Sequence, residues 1–308
     1  MAQVSMQQVK ELRERTQAGL NDCRSALVEA DGNIDAAVEI ILKKGLAKSA
    51  KRAGAVAAEG EVRAMVGADK KRAAIVEVNI QTDFAARNQE FRDFVGLAVS
   101  AAMSAAPGTD LGSAPSGGTT LDGVRQALVG KLGENIVLRR WERLSIDGPG
   151  EVTSYVHMGG KIGVLLAARC GNEAGEQSPA FKKLVEETAM QVAAMAPQYL
   201  SQGQVPESVR AKQAEIFEAQ LVEEGKPEKV RPGIIQGKLR KWLEEVCLLE
   251  QKSVLETEKT VAQLVAETAQ QAGTSVELVR FVRFERGEGI DKPVKQDFAS
   301  EVARMSQG

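Results

Sequence analysis

The residues able to carry covalent chemistry are few and badly placed for it. His157 is the only histidine. It lies in a strand-like run beside a Gly159-Gly160 turn, so neither a multi-histidine metal site nor a Ser-His-Asp arrangement can be assembled around it; a satisfied strand residue reads equally well. Cys23, Cys170 and Cys247 are far apart and show no CxxC spacing, which argues against zinc or redox chemistry. Gly159-Gly160-Lys161 lacks the spacing and the following Ser/Thr of a phosphate-binding loop and joins two strands, so it reads as a turn. Carboxylates are plentiful, but no pair suggests acid/base work. One short stretch stands apart: Gln81-Thr82-Asp83-Phe84 follows a strand and precedes a helix, setting a bulky apolar ring beside a carboxylate on a loop. Two readings stay open there: a binding tip, or a Thr82 or Asp83 helix cap with Phe84 folded into the core.

The elements that must position these residues belong to a multidomain chain. Its 308 residues exceed the usual size of one domain, and 40 Lys+Arg against 42 Asp+Glu leave a net charge of -2. No surplus of positive charge meets a phosphate backbone, and aromatics at 4% offer few stacking platforms, so nucleic acid is not expected as a main ligand. No run of eighteen apolar residues occurs, so no membrane span is expected. With an odd, dispersed set of cysteines, the expected compartment is reducing cytoplasm. No cofactor or metal is expected.

Along the chain the fold class reads as α+β. Residues 1–46 form a three-helix module: Ser5 with Gln8 makes a capping box, a second helix runs from about Asp22 to Ala30, and Asn33 caps a third that ends at Lys43, Lys44 and Gly45. The small, basic stretch 47–59 reads as a linker. The next segments repeat at an offset of 90 residues: Gly60-Glu61-Val62 recurs as Gly150-Glu151-Val152 (151 − 61), Phe91 as Phe181 and Ala106-Pro107 as Ala196-Pro197. Each copy reads ββα, which predicts two related core subdomains, one over 60–140 and one over 141–203 with 247–290. Between the copies Pro107 to Thr120 is Gly/Ser/Thr-rich and reads as an exposed, disordered loop, followed by a helix over Leu121 to Leu132. Val209, Ile216, Ala219 and Leu221, then Ile235, Leu239, Leu243 and Val246, predict a protruding helical hairpin over 204–246. Val279 to Phe284 reads as a strand that completes the second subdomain. Asp297 to Met305 reads as a terminal helix in a C-terminal module over 291–308.

Four segments, in order, resemble bacterial elongation factor Ts. They are Val9 to Thr16 with Ala18-Gly19 and Asp22-Cys23; Gln81-Thr82-Asp83-Phe84; Tyr155, His157 and Gly160 to Val164; and Phe281 to Phe284 with Gly287 to Ile290 and Asp297-Phe298. The resemblance covers essentially the whole chain. It implies a guanine-nucleotide exchange factor that binds elongation factor Tu and promotes GDP release without covalent chemistry. It implies that Asp83 and Phe84, with Thr82, disturb the partner's magnesium and phosphate contacts. It also implies that Arg13, Leu20 and Arg24 grip the partner's nucleotide domain, that the segment Gly133 to Ile136 makes a further contact through Ile136, and that His157 meets a different partner domain. For the helical hairpin it implies self-association, as a homodimer or a 2:2 complex. The N-terminal module is also similar to ubiquitin-associated (UBA) domains, so the rival reading is a non-enzymatic adaptor that binds its partners regardless of nucleotide.

Overall fold

The structure, a computed structural model, describes residues 4–16 and 18–291. The first three helices are α1 (Met6–Thr16), α2 (Leu20–Glu29) and α3 (Ile34–Arg52). The predicted capping devices are in place: Gln8 N–H donates to Ser5 Oγ at 3.2 Å, Ser5 N–H donates to Gln8 Oε1 at 3.0 Å, and Ala36 N–H donates to Asn33 Oδ1 at 3.0 Å. Val9, Leu12, Cys23, Leu27, Ala37 and Ile41 close a small core between the three helices.

Strand β1 (Glu59–Val66) pairs antiparallel with β2 (Arg72–Ile80). A short helix α4 (Asp83–Ala86) and a long one, α5 (Gln89–Ser104), follow. The stretch 107–120, expected to be disordered, is ordered. Asp110 caps a 3-10 turn over Leu111–Ser113, Leu111 is buried, and Trp141 Nε1 donates to Thr109 O at 3.2 Å. A two-residue hairpin of β3 (Pro115–Ser116) and β4 (Thr119–Thr120) then turns through Gly117 and Gly118, with φ of 56° and 85°. A turn needing positive φ at both central residues explains the glycines that suggested disorder. Helix α6 (Leu121–Leu132) and strand β5 (Ile136–Ser145) complete the unit, β5 pairing with β2.

The second unit repeats the first. Strand β6 (Gly150–His157) pairs with β7 (Ile162–Cys170), α7 (Glu173–Gln177) and α8 (Pro179–Met195) follow, and two further helices, α9 (Glu207–Glu223) and α10 (Arg231–Val246), stand apart as the hairpin. Helix α11 (Val261–Ala272) and strand β8 (Val276–Glu285), which pairs with β7, close it. The repeat extends to detail: the ladder bulges between Glu77 and Val78 in one copy and between Ala167 and Ala168 in the other.

The two sheets, ordered β1-β2-β5 and β6-β7-β8, pack face to face. Alternate residues of β2 and β7 serve opposite faces, as strand geometry requires. Ala73, Ile75, Leu165 and Ala167 meet between the sheets with Val62, Leu144, Val152 and Phe284. Val76, Val78 and Ile80 pack outward under Phe91 and Phe94 of α5 and Val124 of α6; Val164 and Leu166 pack under Phe181 and Val185 of α8 and Val261 of α11. Each buried Phe contributes about 1.5–3 kcal/mol. The hairpin tips clasp reciprocally: Val62 N–H donates to Gly160 O (2.8 Å) and Val152 N–H to Lys70 O (2.7 Å), while Ile146 N–H donates to Lys71 O (2.9 Å) and Arg286 N–H to Lys161 O (2.8 Å).

Three expectations are corrected. Helix α3 does not stop at Gly45 but runs on to Arg52, into the first part of the expected linker 47–59. Gly45 is no cap: a Cβ there would lie 3.1 Å from Gln126 O, so the missing side chain lets α3 lie close on α6. A boundary at residue 140 would cut β5, which belongs whole to the first sheet. In the hairpin two of the named positions, Ile216 and Ala219, are exposed, while Leu221 and Val246 are buried and Val209, Ile235, Leu239 and Leu243 are half-buried as expected. The C-terminal module over 291–308, with the helix expected over Asp297 to Met305, lies outside the described residues from 292 on.

Candidate functional site

The stretch Thr82-Asp83-Phe84 forms the start of α4. Thr82 is extended (φ -119°, ψ 149°) and its Oγ1 accepts from Ala85 N–H at 3.1 Å, so the loop residue caps the turn. Capping and exposure turn out to be compatible: Thr82 caps, yet Phe84 is 84% exposed and contributes nothing to the core. The ring packs against no core cluster of this chain and stands in solvent at the end of a capped turn. Asp83 also faces solvent, 3.3 Å from Arg87.

The turn is anchored from behind. Both Glu134 carboxylate oxygens accept from Thr82, Oε2 from its N–H at 3.1 Å and Oε1 from its hydroxyl at 2.7 Å. Asn135 N–H donates to Gln81 Oε1 at 2.6 Å, and Asn135 Nδ2 donates to Ala55 O at 2.8 Å, on the segment between α3 and β1. Glu134 and Asn135 lie in the expected contact segment Gly133 to Ile136, but they hold the turn from within the chain, a role the sequence reading does not give them. The sequence clue was a carboxylate and a carboxamide just before a strand that must run beside β2.

Beside the turn lies a cleft of about 580 Å³ lined by Glu59, Glu61, Asp83, Arg92, Arg286 and the Met158-Gly159 tip of the second subdomain. Its walls are charge pairs: Arg286 with Glu59 at 3.1 Å and Arg63 with Glu61 at 2.7 Å. Next to Arg286, Gly287 N–H donates to Glu77 Oε1 at 2.7 Å. Glu77 is wholly buried between the sheets and also receives Asn79 (3.0 Å), Arg139 (2.9 Å) and Arg140 (2.6 Å). Burial pushes its carboxyl up, but the hydrogen bonds from Gly287, Asn79, Arg139 and Arg140 outweigh that and hold it below the usual carboxylate range.

The remaining expected residues divide. Arg13 is exposed on α1 at the rim of a hollow lined by Phe94, Leu97 and Leu128. Leu20 is 46% exposed and forms, with Arg24 and Val28 at successive i+4 positions, one solvent-facing stripe of α2. His157 is exposed at the end of β6, its Nδ1 3.0 Å from the Tyr155 hydroxyl and its ring stacked on that tyrosine at 25°. Ile136 is a correction: it is 0% exposed, at the start of β5 in the core under α5, and cannot touch a partner unless that core opens. Its neighbour Val137 is the exposed one, because side chains alternate along the strand. Burial also raises the Cys23, Cys170 and Cys247 thiols, which suits inert core residues. Among the described residues no three His, Cys, Asp or Glu side chains cluster as a metal would need.

The family model described as "Elongation factor TS" matches residues 81–288. The chain is similar to "Elongation factor Ts" of a Nitratiruptor species, 46% identical over 305 residues that span 97% of this chain and 98% of the relative. It is also similar to that of Nautilia profundicola, 44% identical with 98% and 99% covered, and to that of Clostridium botulinum (strain Alaska E43), 43% identical with the same coverage. With an Asp-Phe tip on a capped turn, a duplicated α+β core and relatives aligned from end to end, the chain belongs to the elongation factor Ts family.

Proposed function

We propose that this protein is the guanine-nucleotide exchange factor of elongation factor Tu: it binds the GDP-bound GTPase, disturbs the magnesium and phosphate site, promotes GDP release and is displaced as GTP rebinds. The observation that carries the reading is the Phe84 ring, held out in solvent beside Asp83 on an anchored turn. The tip directs the effect and does not supply the energy. Moving a site from about 99:1 to 1:99 occupancy takes roughly 5.5 kcal/mol of differential binding, while burying one Phe yields only about 1.5–3 kcal/mol. A wide grip must provide the rest. The α2 stripe with Leu20 and Arg24, Arg13 on α1 and His157 on the second subdomain are the surfaces we assign to it. Factor and nucleotide then weaken each other's binding reciprocally, with no bond made or broken by the factor.

Release of a fluorescent GDP analogue from elongation factor Tu, chased with excess GDP, tests this. Substoichiometric protein is expected to accelerate release, and Phe84→Ala to retain most of the binding while losing most of the acceleration. Binding that is indifferent to nucleotide and leaves release unchanged would establish the adaptor reading instead.

A further inference from the structure

The duplication supplies a control inside the molecule. Asn172 caps α7 by accepting from Gly175 N–H at 2.8 Å, just as Thr82 caps α4 from Ala85 N–H at 3.1 Å, and Gly175 and Ala85 are both buried. A capped turn after the second strand is therefore what the repeated fold requires. The rest of the first turn is additional. At the positions of Gln81, Thr82 and Phe84 the second copy has Gly171, Asn172 and Ala174, and before β8 it has Thr274 and Ser275 where Glu134 and Asn135 precede β5. There the backbone closes directly, Gly171 N–H donating to Ser275 O at 2.9 Å. A Cβ at Gly171 would lie 2.3 Å from Thr274 Oγ1 and 2.7 Å from Ser275 Oγ, so that junction has no room for a clamp of side chains.

Resting on the exchange reading above, we propose that Glu134 and Asn135 are positioning residues for Asp83 and Phe84. Glu134 fixes the capping residue from two sides with charge-assisted bonds to the Thr82 N–H and hydroxyl. With its proton committed to Glu134, the Thr82 hydroxyl presents a lone pair to Ala85 N–H, so the clamp reinforces the cap. Asn135 binds Gln81 through its backbone and Ala55 through its side chain, which ties the tip to the segment leaving α3. The direction in which Phe84 projects is thus set relative to the N-terminal module before any partner arrives. A ring already aimed loses less freedom on insertion, and misaiming it by about 1 Å is enough to cost up to 100-fold in rate.

The test combines exchange kinetics with amide protection in the full-length protein. Glu134→Ala is expected to lower kcat for GDP release roughly tenfold while KM stays within about twofold. The double variant Phe84→Ala with Glu134→Ala is expected to be no slower than Phe84→Ala alone, since a residue that acts through the ring has nothing left to aim. In the free protein the Thr82 amide should lose hydrogen-exchange protection in Glu134→Ala and recover part of it in Glu134→Gln, which keeps one acceptor oxygen, while α11 amides stay protected as the check on folding. Additive losses in the double variant, a KM effect alone, or an unchanged Thr82 amide each overturn the proposal. Should the wild-type protein fail to accelerate release at all, the exchange reading falls, and the Thr82 amide still decides whether the clamp exists.

Discussion

Glu77 and Glu151 are both buried carboxylates at the joint between the sheets, and they are treated differently. Glu77 gathers four donors, whereas Glu151 has Lys70 at 3.2 Å on one oxygen and no partner on the other. Removing one member of a buried charge network strands the others without their counter-charge. Glu77→Ala is therefore expected to cost about 3 kcal/mol in urea unfolding, because Arg139 and Arg140 lose their shared anchor. Since the folded Glu77 carboxyl sits below its usual value of 4.5, its contribution is complete above that pH and drains away as the pH falls through the folded value. Stability of Glu77→Gln should accordingly fall less steeply on acidification than that of the wild type. Residue types near the tip were legible without coordinates, and their orientation was not. Thr82 as a cap and Phe84 as an exposed tip read as alternatives, and the four-residue helix α4 combines them. Ile136, one place from exposed Val137, shows how a single step along a strand exchanges surface for core.

Elements with one dominant local signal were readable from the sequence: the Ser5 and Asn33 caps, the Gly159-Gly160 turn, the 90-residue repeat and helix α6. Those decided by distant contacts were not. Strand β5 carries Arg139, Arg140, Glu142 and Arg143, which spoil its apolar alternation. Two of these arginines meet Glu77, and Glu142 meets Arg280 of the second sheet at 3.4 Å. Helix α11 has a local start signal in the Thr260-Gln263 capping box, but the polar residues around it mask its apolar period. Gly45 shows the same limit, since a glycine near a run of lysines signals a stop until another helix is seen lying on it. Gly45→Leu should cost about 1–3 kcal/mol by forcing α3 away from α6, and amide exchange in α6 should rise. Gly237→Ala, within α10 and with open space around its Cα, should instead stabilise by about 0.5–1 kcal/mol.

At the scale of the molecule, the hairpin of α9 and α10 is an excursion from a junction that closes without it. Gln198 and Tyr199 N–H groups both donate to Val246 O, and Leu248 N–H donates to Tyr199 O at 2.9 Å. Between Ala211 and Lys241 only Leu221 is fully buried. Replacing 211–241 by a short Gly-Ser turn should leave cooperative melting of the core and GDP release nearly unchanged. If the hairpin carries the self-association that the resemblance implies, sedimentation should show only monomers of the shortened chain. The same excursion sets an order of events during synthesis. The first sheet has all its strands once Ser145 has been made, whereas the second waits for β8, which ends at Glu285. Throughout that interval Val62, Ile75 and Leu144 have no finished sheet to cover them. A nascent chain stalled before β8 would carry half of an apolar sandwich open to water, the species most prone to associate wrongly, so release of a competent factor depends on its last described strand arriving.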